Sequence, residues 1–326
     1  MIISKTPYRI SFFGGGSDYP EWYKKFNGEV ISSTIDKYIY ISCRDLPPFF
    51  KHKFRIVYSK IELTNNIKDI KHLVVKHALK KINKKSGLEI HYDGDLPARS
   101  GMGSSSSFVV GLLNILNKIE KKNANKEELA KLSINLEKNI LREKVGCQDQ
   151  IAASYGGFNS IKFDKNGKFK VKKICKDKIF LKKLNNNLFL CFTGISRTAE
   201  KIANTYIGSL NNKKKQEIKT IMHHVDLAKK IIKNKNLDDF GYLLDETWSI
   251  KKKLSSYISN PKIDYMYKLA KKNGALGGKL LGAGGGGFMI FYVPVNKREK
   301  FEFSFKKFLN IPFKFSNQGS QIIFNK

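Results

Sequence analysis

Four consecutive serines follow a glycine pair in the segment SGMGSSSSF, residues 100–108. Turn glycines let backbone N–H groups point toward one spot, and the start of a following helix adds unpaired N–H donors and a partial positive charge. Serine is a good N-cap but a poor residue inside a helix, and only one of the four can cap. The other serines could donate to phosphate oxygens or bind Mg²⁺. The predicted phosphate site comprises Gly101, Met102, Gly103, Ser104, Ser105, Ser106 and Ser107.

The alternative for this segment is a polar loop with a single N-cap. It is not a Walker P-loop, because the pattern GxxxxGK[ST] does not occur in the sequence. Two carboxylates follow it in LEKNILREKVGCQDQ, residues 136–150, where Glu137 lies on a predicted helix and Asp149 begins the next one. Phosphoryl transfer uses one carboxylate for Mg²⁺ and often another to accept the proton of the acceptor hydroxyl. A helical glutamate is otherwise an ordinary surface residue.

Two more glycine-rich segments stand at opposite ends of the chain. PYRISFFGGGSDYP places Arg9 on a predicted strand and Asp18 just after a three-glycine turn. Such an aspartate can accept hydrogen bonds from sugar hydroxyls, although an Asx-turn would explain it equally well. The second segment, Gly274–Gly287, has eight glycines in fourteen residues. Its position between a predicted helix and a strand favours close backbone approach to a ligand, with a flexible connector as the alternative.

The elements that position these motifs alternate irregularly between strand and helix. Strands are predicted at YRISFF, EVISSTIDKYIYISCR, GLEIHYDG, GGFNSIKF, NLFLCFTG, FMIFYVP and QIIFNK. A buried helix is predicted at FVVGLLNILNKI because it is apolar nearly all round, and an amphipathic one over 125–146. Further helices are expected near 214–233, 236–258, 262–273 and 297–309. Without strict βαβ alternation, the prediction is an α+β fold with domains at 1–180 and 181–326.

The composition shows a large positive charge without the features of a nucleic-acid reader. The formal net charge is +33, yet only seven of the 61 basic residues are arginine. Base readers and phosphate clamps favour arginine for its bidentate fork. Lysines are spread along the chain together with many asparagines, which favours a compositional bias over a binding face. A basic nucleic-acid-binding protein remains the alternative from another functional class.

The remaining composition predicts a soluble cytoplasmic protein. The four cysteines lack metal-site spacing, so we expect free, buried thiols. No apolar run is long enough for a membrane span and no signal-peptide pattern opens the sequence, so we expect a cytoplasmic protein that binds no membrane. We expect small-molecule partners, no nucleic acid, and a monomer or homodimer.

Taken together, PYRISFFGGGSDY, PARSGMGSSSS and KLLGAGGGGF resemble, in order and spacing, the three motifs of the GHMP kinases. The resemblance implies an N-terminal domain like ribosomal protein S5 domain 2, a ferredoxin-like C-terminal domain and an active site between them. It also implies ATP as co-substrate with Mg²⁺, and adenine contacts near residues 55–80.

The resemblance also implies a role for individual residues. Ser105 and Glu137 would bind Mg²⁺, Asp149 would be the catalytic carboxylate, and Arg9 would lie beside Asp149 and the transferred phosphoryl group. Asp18 would bind sugar hydroxyls. The full set of predicted substrate-binding residues is Asp18, Gly16, Ser17, Lys37, Arg197, Gly284 and Gly285.

Four segments resemble one branch of the family, which phosphorylates the anomeric hydroxyl of a hexose or heptose. They are GGGSDYPEWY, STIDKYIYI, VGCQDQIAASYGG and TGISRTAEKI. This likeness implies D-glycero-D-manno-heptose 7-phosphate as acceptor, with L-fucose or another hexose as the alternative. The sequence GGGSD, where galactokinase has GEHTD, argues against galactose. A distal phosphate would need a cation, and the candidates are Lys37, Arg44, Arg99 and, first among them, Arg197.

Overall fold

The computed structural model describes residues 1–82, 87–196 and 199–326. Its strands in these ranges are β1 (Ile2–Phe13), β2 (Gly28–Leu46), β3 (Phe54–Val57), β4 (Ile61–Thr64), β5 (Gly87–Gly94), β6 (Phe158–Phe163), β7 (Phe169–Lys173), β8 (Leu188–Phe192), β9 (Gly277–Leu280), β10 (Phe288–Tyr292), β11 (Phe315–Ser316) and β12 (Gln321–Asn325).

The α-helices of the same ranges are α1 (Pro20–Phe26), α2 (Leu73–Leu79), α3 (Ser104–Ile119), α4 (Lys126–Ile134), α5 (Gln148–Tyr155), α6 (Lys178–Asn186), α7 (Ala199–Ala203), α8 (Lys215–Asn234), α9 (Leu237–Lys252), α10 (Pro261–Lys272) and α11 (Arg298–Ser304). A π-helical turn, Asn135–Ile140, continues α4. The strand and helix mixture confirms the predicted α+β class.

Two sheets organise the described residues. The large sheet runs in the order β12-β1-β2-β5-β3-β4, with β6 and β11 also pairing with β2, and β7 pairing with β6. Its strand pairs are antiparallel except β3 with β5. The small sheet is antiparallel, in the order β8-β10-β9. Strand β1 therefore lies inside the large sheet, which fixes the backbone around Arg9.

The buried helix predicted after the serines is present as α3 and packs on β1 and β2. Val109, Val110, Leu112 and Ile115 have no exposed surface. Burial of such side chains contributes about 1.5–3 kcal/mol each. Because this helix is anchored along its length, its first turn is a rigid platform.

Three predicted helices end earlier than expected. The helix expected near 297–309 is α11, which ends at Ser304. The helix predicted over 125–146 is α4 followed by the π-helical turn, which ends at Ile140. The helix predicted to reach residue 258 ends at Lys252 in α9. Asn125 caps α4 in a capping box with Glu128, in agreement with the predicted start.

The predicted domain boundary near residue 180 falls within α6. Strands β11 and β12 come from the second half of the sequence yet join the large sheet. The division at residue 180 therefore stays a prediction, and the large sheet contains strands from both sides of it.

Two composition-based expectations can be compared with the structure. All four cysteines are free and buried, as predicted. Among the helices that the structure describes, none combines the length and apolar character that a membrane crossing requires.

Candidate active site

The predicted phosphate loop, residues 101–107 and here called the phosphate loop, leads directly into α3, whose N-cap is Gly103 in a left-handed conformation, with φ 77°. No side chain caps this helix, so the expectation that one of the four serines would be its N-cap is wrong. The left-handed turn is open to glycine at little cost, and it leaves the first N–H groups of α3 without a side-chain partner. A helix start of this kind favours an anion.

Each serine of the run has a different environment. Ser104 Oγ accepts from the Arg99 backbone N–H (3.3 Å), and Ser105 is exposed. Ser106 Oγ donates to Glu137 (2.9 Å to Oε2), and Ser107 Oγ donates to the Pro7 carbonyl (2.9 Å). Ser107 therefore ties the helix to β1, while Ser105 is open to a ligand.

Arg9 and Asp149 form a two-point ion pair next to the loop. Arg9 Nε and one terminal nitrogen each donate to a carboxylate oxygen of Asp149, both at 2.7 Å. The remaining terminal nitrogen donates to the Gly101 carbonyl (2.7 Å), and Arg9 N donates to Met102 O (3.1 Å). Arg9 is 4% exposed, whereas the Asp149 side chain is 23% exposed. The pair thus links the phosphate loop, β1 and the first turn of α5.

Glu137 is a fully buried carboxyl on the π-helical turn. It accepts from the Ser106 hydroxyl and from the Gln150 side-chain amide. Burial, assisted by the charge of Glu143, raises its pKa from 4.5 to about 8. A desolvated carboxyl at the base of an anion-binding helix start, with a hydroxyl beside it, supplies the hard oxygen donors that Mg²⁺ prefers. The residues present therefore fit a magnesium site.

Asp18 is also buried, with 1% exposure. Its Oδ1 accepts from Gly16 N (3.1 Å) and its Oδ2 from the Gln148 side-chain amide (3.0 Å). Its backbone carbonyl accepts from Cys147 N (3.1 Å). Burial and then the nearby Asp149 raise its pKa. Asp18 therefore fastens the glycine turn of the first motif to the start of the helix that carries Asp149.

The C-terminal glycine segment packs against the back of the phosphate loop. A Cβ on Gly282 would lie 2.6 Å from the Gly101 Cα, and a Cβ on Gly101 would lie 2.6 Å from the Leu281 carbonyl oxygen. Phe288 N donates to the Ser100 carbonyl (3.1 Å). The two backbones approach here more closely than any side chain would allow. Gly101 and Gly282 therefore permit the two glycine-rich segments to pack against each other.

The other predicted substrate residues lie in varied places. Ser17 is fully buried and its hydroxyl donates to the Gly14 carbonyl (2.8 Å). The Nζ atom of Lys37 lies 3.9 Å from Oδ1 of Asp36. Gly284 packs against Ile258. Two further positions complete the set. Gly285 packs against Ile202 and Tyr257, and Arg197 lies outside the described residues.

Two glutamines beside the carboxylates of the predicted site were not themselves predicted. Gln148 contacts Asp18 and Gln150 contacts Glu137, so they flank Asp149 on both sides. Both glutamines are direct neighbours of Asp149 in the segment CQDQ, and this adjacency is the sequence signal that could have identified them.

Comparisons with known proteins show the family to which the chain belongs. The family models described as GHMP kinases N terminal domain and GHMP kinases C terminal match residues 70–157 and 227–307. A D-glycero-alpha-D-manno-heptose 7-phosphate kinase of Campylobacter jejuni is 32% identical over 307 residues, covering 91% of each chain. The chain belongs to the GHMP kinase family. It is a sugar kinase, a phosphotransferase, and kinases of this family use ATP as co-substrate, usually with Mg²⁺.

Other relatives span a wider range of acceptors. A bifunctional fucokinase/GDP-fucose pyrophosphorylase of Arabidopsis thaliana is 26% identical over 88% of this chain and 29% of its own length. The solved structure of a D-glycero-D-manno-heptose 1-phosphate kinase from Bacteriodes thetaiotaomicron covers all of both chains with a TM-score of 0.81 at 22% identity, which shows the shared fold. Methanococcus jannaschii mevalonate kinase reaches a TM-score of 0.74 at 25% identity, over 96% of this chain and 98% of its own.

Proposed function

We propose that this sugar kinase phosphorylates the anomeric C1 hydroxyl of D-glycero-D-manno-heptose 7-phosphate with ATP, and that the 1,7-bisphosphate serves GDP-heptose and surface polysaccharide synthesis. The observation that carries the transfer step is the Arg9–Asp149 pair, which hydrogen-bonds to the phosphate loop through Gly101. The acceptor assignment is supported by the 32% identical heptose 7-phosphate kinase.

In this mechanism the C1 hydroxyl oxygen attacks the γ-phosphorus of ATP, and the bond from that phosphorus to the β–γ bridging oxygen breaks. ADP leaves with the electron pair of that bond. The hydroxyl proton goes to Asp149, whose carboxylate is the partly exposed member of the ion pair. Arg9 offsets the negative charge on the oxygens of the phosphoryl group while that group is transferred. Phosphoryl transfer of this kind depends mainly on positioning and electrostatics.

Glu137 and Ser105 are the proposed magnesium ligands, and Ser106 joins them as the hydroxyl that already contacts Glu137. Bound Mg²⁺ would neutralise charge shared between the β- and γ-phosphates. Because the pKa of Glu137 is about 8, this carboxyl holds a proton at neutral pH and must release it to bind a cation. Metal binding is therefore expected to be tighter at higher pH.

An aromatic cluster beside the first turns of α3 is the proposed nucleobase site. The His72 ring lies 5.1 Å from Phe108 and 4.9 Å from Tyr58, measured between ring centroids. Burial lowers the pKa of His72, so this ring is neutral at physiological pH. A neutral aromatic wall next to a phosphate loop suits a stacked adenine.

Asp18 and the turn at Gly16 are the proposed receptors of the sugar hydroxyls, and Arg197 is the proposed partner of the distal phosphate. Asp18 Oδ1 accepts one hydrogen bond, from Gly16 N, and keeps an acceptor site for a sugar hydroxyl, whereas Oδ2 already accepts from the side-chain amide and from the backbone N–H (3.4 Å) of Gln148. In the Arg197→Ala variant we expect the preference for a sugar phosphate over the free sugar to disappear. A ratio of the two kcat/KM values that stays as in the wild type would contradict this role.

The acceptor is tested with a panel of heptose 7-phosphate, L-fucose, mannose and galactose, measuring ADP release. The expected result is a kcat/KM for heptose 7-phosphate well above those of the other sugars. Phosphorus NMR of the product should then show a phosphate on the anomeric carbon. Turnover of L-fucose alone would replace the heptose by the alternative acceptor, which the Arabidopsis fucokinase supports.

A further inference from the structure

A buried lysine, Lys279 on β9, lies beside the first motif without a carboxylate partner. It is 4% exposed, as buried as Arg9. Its ammonium donates to the Phe12 carbonyl of β1 at 2.7 Å, which joins the small sheet to the large one. In the described part of the chain no salt bridge reaches it. An ammonium has three donors, and a buried charge is costly unless its donors and its charge are satisfied.

The placement of Lys279 next to the transfer site follows from two contacts along neighbouring segments. Gly101, which accepts from the Arg9 side chain, packs against Gly282, three residues after Lys279. Phe12, which accepts from Lys279, lies three residues after Arg9 on β1. Arg9 and the carbonyl that Lys279 reaches are therefore only three residues apart on β1, and the segment that carries Lys279 also contacts the predicted phosphate loop.

The charges around Lys279 favour an incoming anion. The positive charge of Arg9 on β1 acts on it, and Lys251 of α9 donates to the Leu280 carbonyl of the same strand (2.9 Å). The nearby Asp245 of α9 is held by Lys271 (2.8 Å) and by the hydroxyl of Tyr267 of α10. Burial and then the positive charge of Arg9 lower the pKa of Lys279 to about 7. A negative ligand would reverse this shift.

We propose that the Lys279 ammonium is a second cation of the phosphoryl-transfer site, donating to an oxygen of the terminal phosphate of ATP beside Arg9. The proposal rests on the assignment of Arg9 and Asp149 to phosphoryl transfer. Because Arg9 is paired with Asp149, its positive charge offsets only part of the negative charge on the transferred phosphoryl group. Lys279 would offset the remainder. Removing one preorganised donor from such a site typically lowers kcat by about 10²-fold or more.

The first test measures protons. ATP is titrated calorimetrically at pH 8 in two buffers of different ionisation enthalpy, which gives the number of protons taken up. EDTA is present, so no metal binds and Glu137 releases no proton to a metal ion. Wild-type protein is expected to take up about one proton, since an anion restores the charge on Lys279. The Lys279→Met variant should bind ATP with about one proton less uptake than wild type, because any uptake by Glu137, whose pKa is about 8, is common to both proteins. Equal uptake by both proteins would overturn the proposal, as would uptake with heptose 7-phosphate but not with ATP.

The second test measures the pH profile of kcat/KM for ATP, which reports the free enzyme. Lys279→Arg keeps a permanent charge, so its kcat/KM relative to wild type should rise about tenfold per pH unit above 7. The ratio cancels the titration of Glu137, which both proteins share. A ratio that does not change with pH contradicts the proposal.

A matched control removes another lysine that is tied to a backbone carbonyl. Lys214→Met, which breaks the bond to the Lys253 carbonyl (2.6 Å), should leave kcat and proton uptake at wild-type values. Thermal melting shows whether Lys279→Met folds, and Lys279→Arg provides a second folded variant if it does not. If wild-type protein neither binds ATP nor turns over any sugar, the proposed function fails. If it does both while the Lys279 variants match it, only the role of Lys279 fails.

Discussion

Replacing Glu137 by Gln is expected to stabilise the protein while removing its response to magnesium. Glu137 is fully buried, and its pKa is raised from 4.5 to about 8. The folded protein therefore holds this proton more tightly than the unfolded chain does. The free energy of unfolding should fall as pH rises from 4.5 and level off above 8.

The size of this effect follows from the pKa. At 1.36 kcal/mol per pH unit, the buried carboxyl costs the folded state about 3 kcal/mol at pH 7 and about 5 kcal/mol above pH 8. Glutamine has the shape of a protonated glutamate and keeps an acceptor for the Gln150 amide. The variant should thus match wild type at pH 4.5 and exceed it by about 3 kcal/mol at pH 7.

The assay is urea unfolding of both proteins at pH 4.5, 7 and 8.5, followed by the same series with Mg²⁺ and ADP. Magnesium should stabilise wild type further at high pH and leave Glu137→Gln unchanged, and the variant should lose Mg²⁺-dependent kinase activity. A difference in unfolding free energy that stays constant between pH 4.5 and 8.5 would refute the argument. So would an unchanged Mg²⁺ midpoint for activity.

Two further predictions concern the loop and the base. Asp149→Asn should lower kcat about 10²–10⁴-fold with little change in ATP affinity, because a positioned base contributes that much. The measurement is a steady-state assay. A variant that keeps more than a third of the wild-type kcat would remove Asp149 from the mechanism. Gly282→Val should weaken nucleotide binding, because its side chain would meet Gly101. Calorimetry measures this, and an unchanged ATP affinity in the folded variant would show that the two segments need not touch.

The sequence predicted the parts of the site that depend on local chemistry. The serine run after a glycine pair, followed by a buried helix, led to the phosphate loop and α3. The resemblance correctly placed Arg9 next to Asp149, a contact between residues 140 positions apart that no local pattern contains. The roles assigned to these residues stay predictions.

Long-range packing decided what the sequence left open. Glycine permits close approach equally to a ligand or to another part of the chain, so the segment from Gly274 to Gly287 could not reveal its contact with Gly101. The helical period predicted one helix over 125–146, but a single π-helical turn changes the phase of the side chains after Ile134. Lys279 opens the third motif, KLLGAGGGGF, but a lysine between glycines and leucines gives no sign of burial until the two sheets are seen together.

Strand β1 is flanked on one side by β2 and on the other by β12, which begins only at Gln321. During synthesis the ribosome therefore delivers the strand carrying Arg9 long before its outer neighbour. Until residues 321–325 emerge, the nascent chain presents an unpaired β1 edge that can recruit foreign strands. Shortening the protein before Gln321 should accordingly favour aggregation, and chaperones that cover exposed strand edges should matter most in that interval.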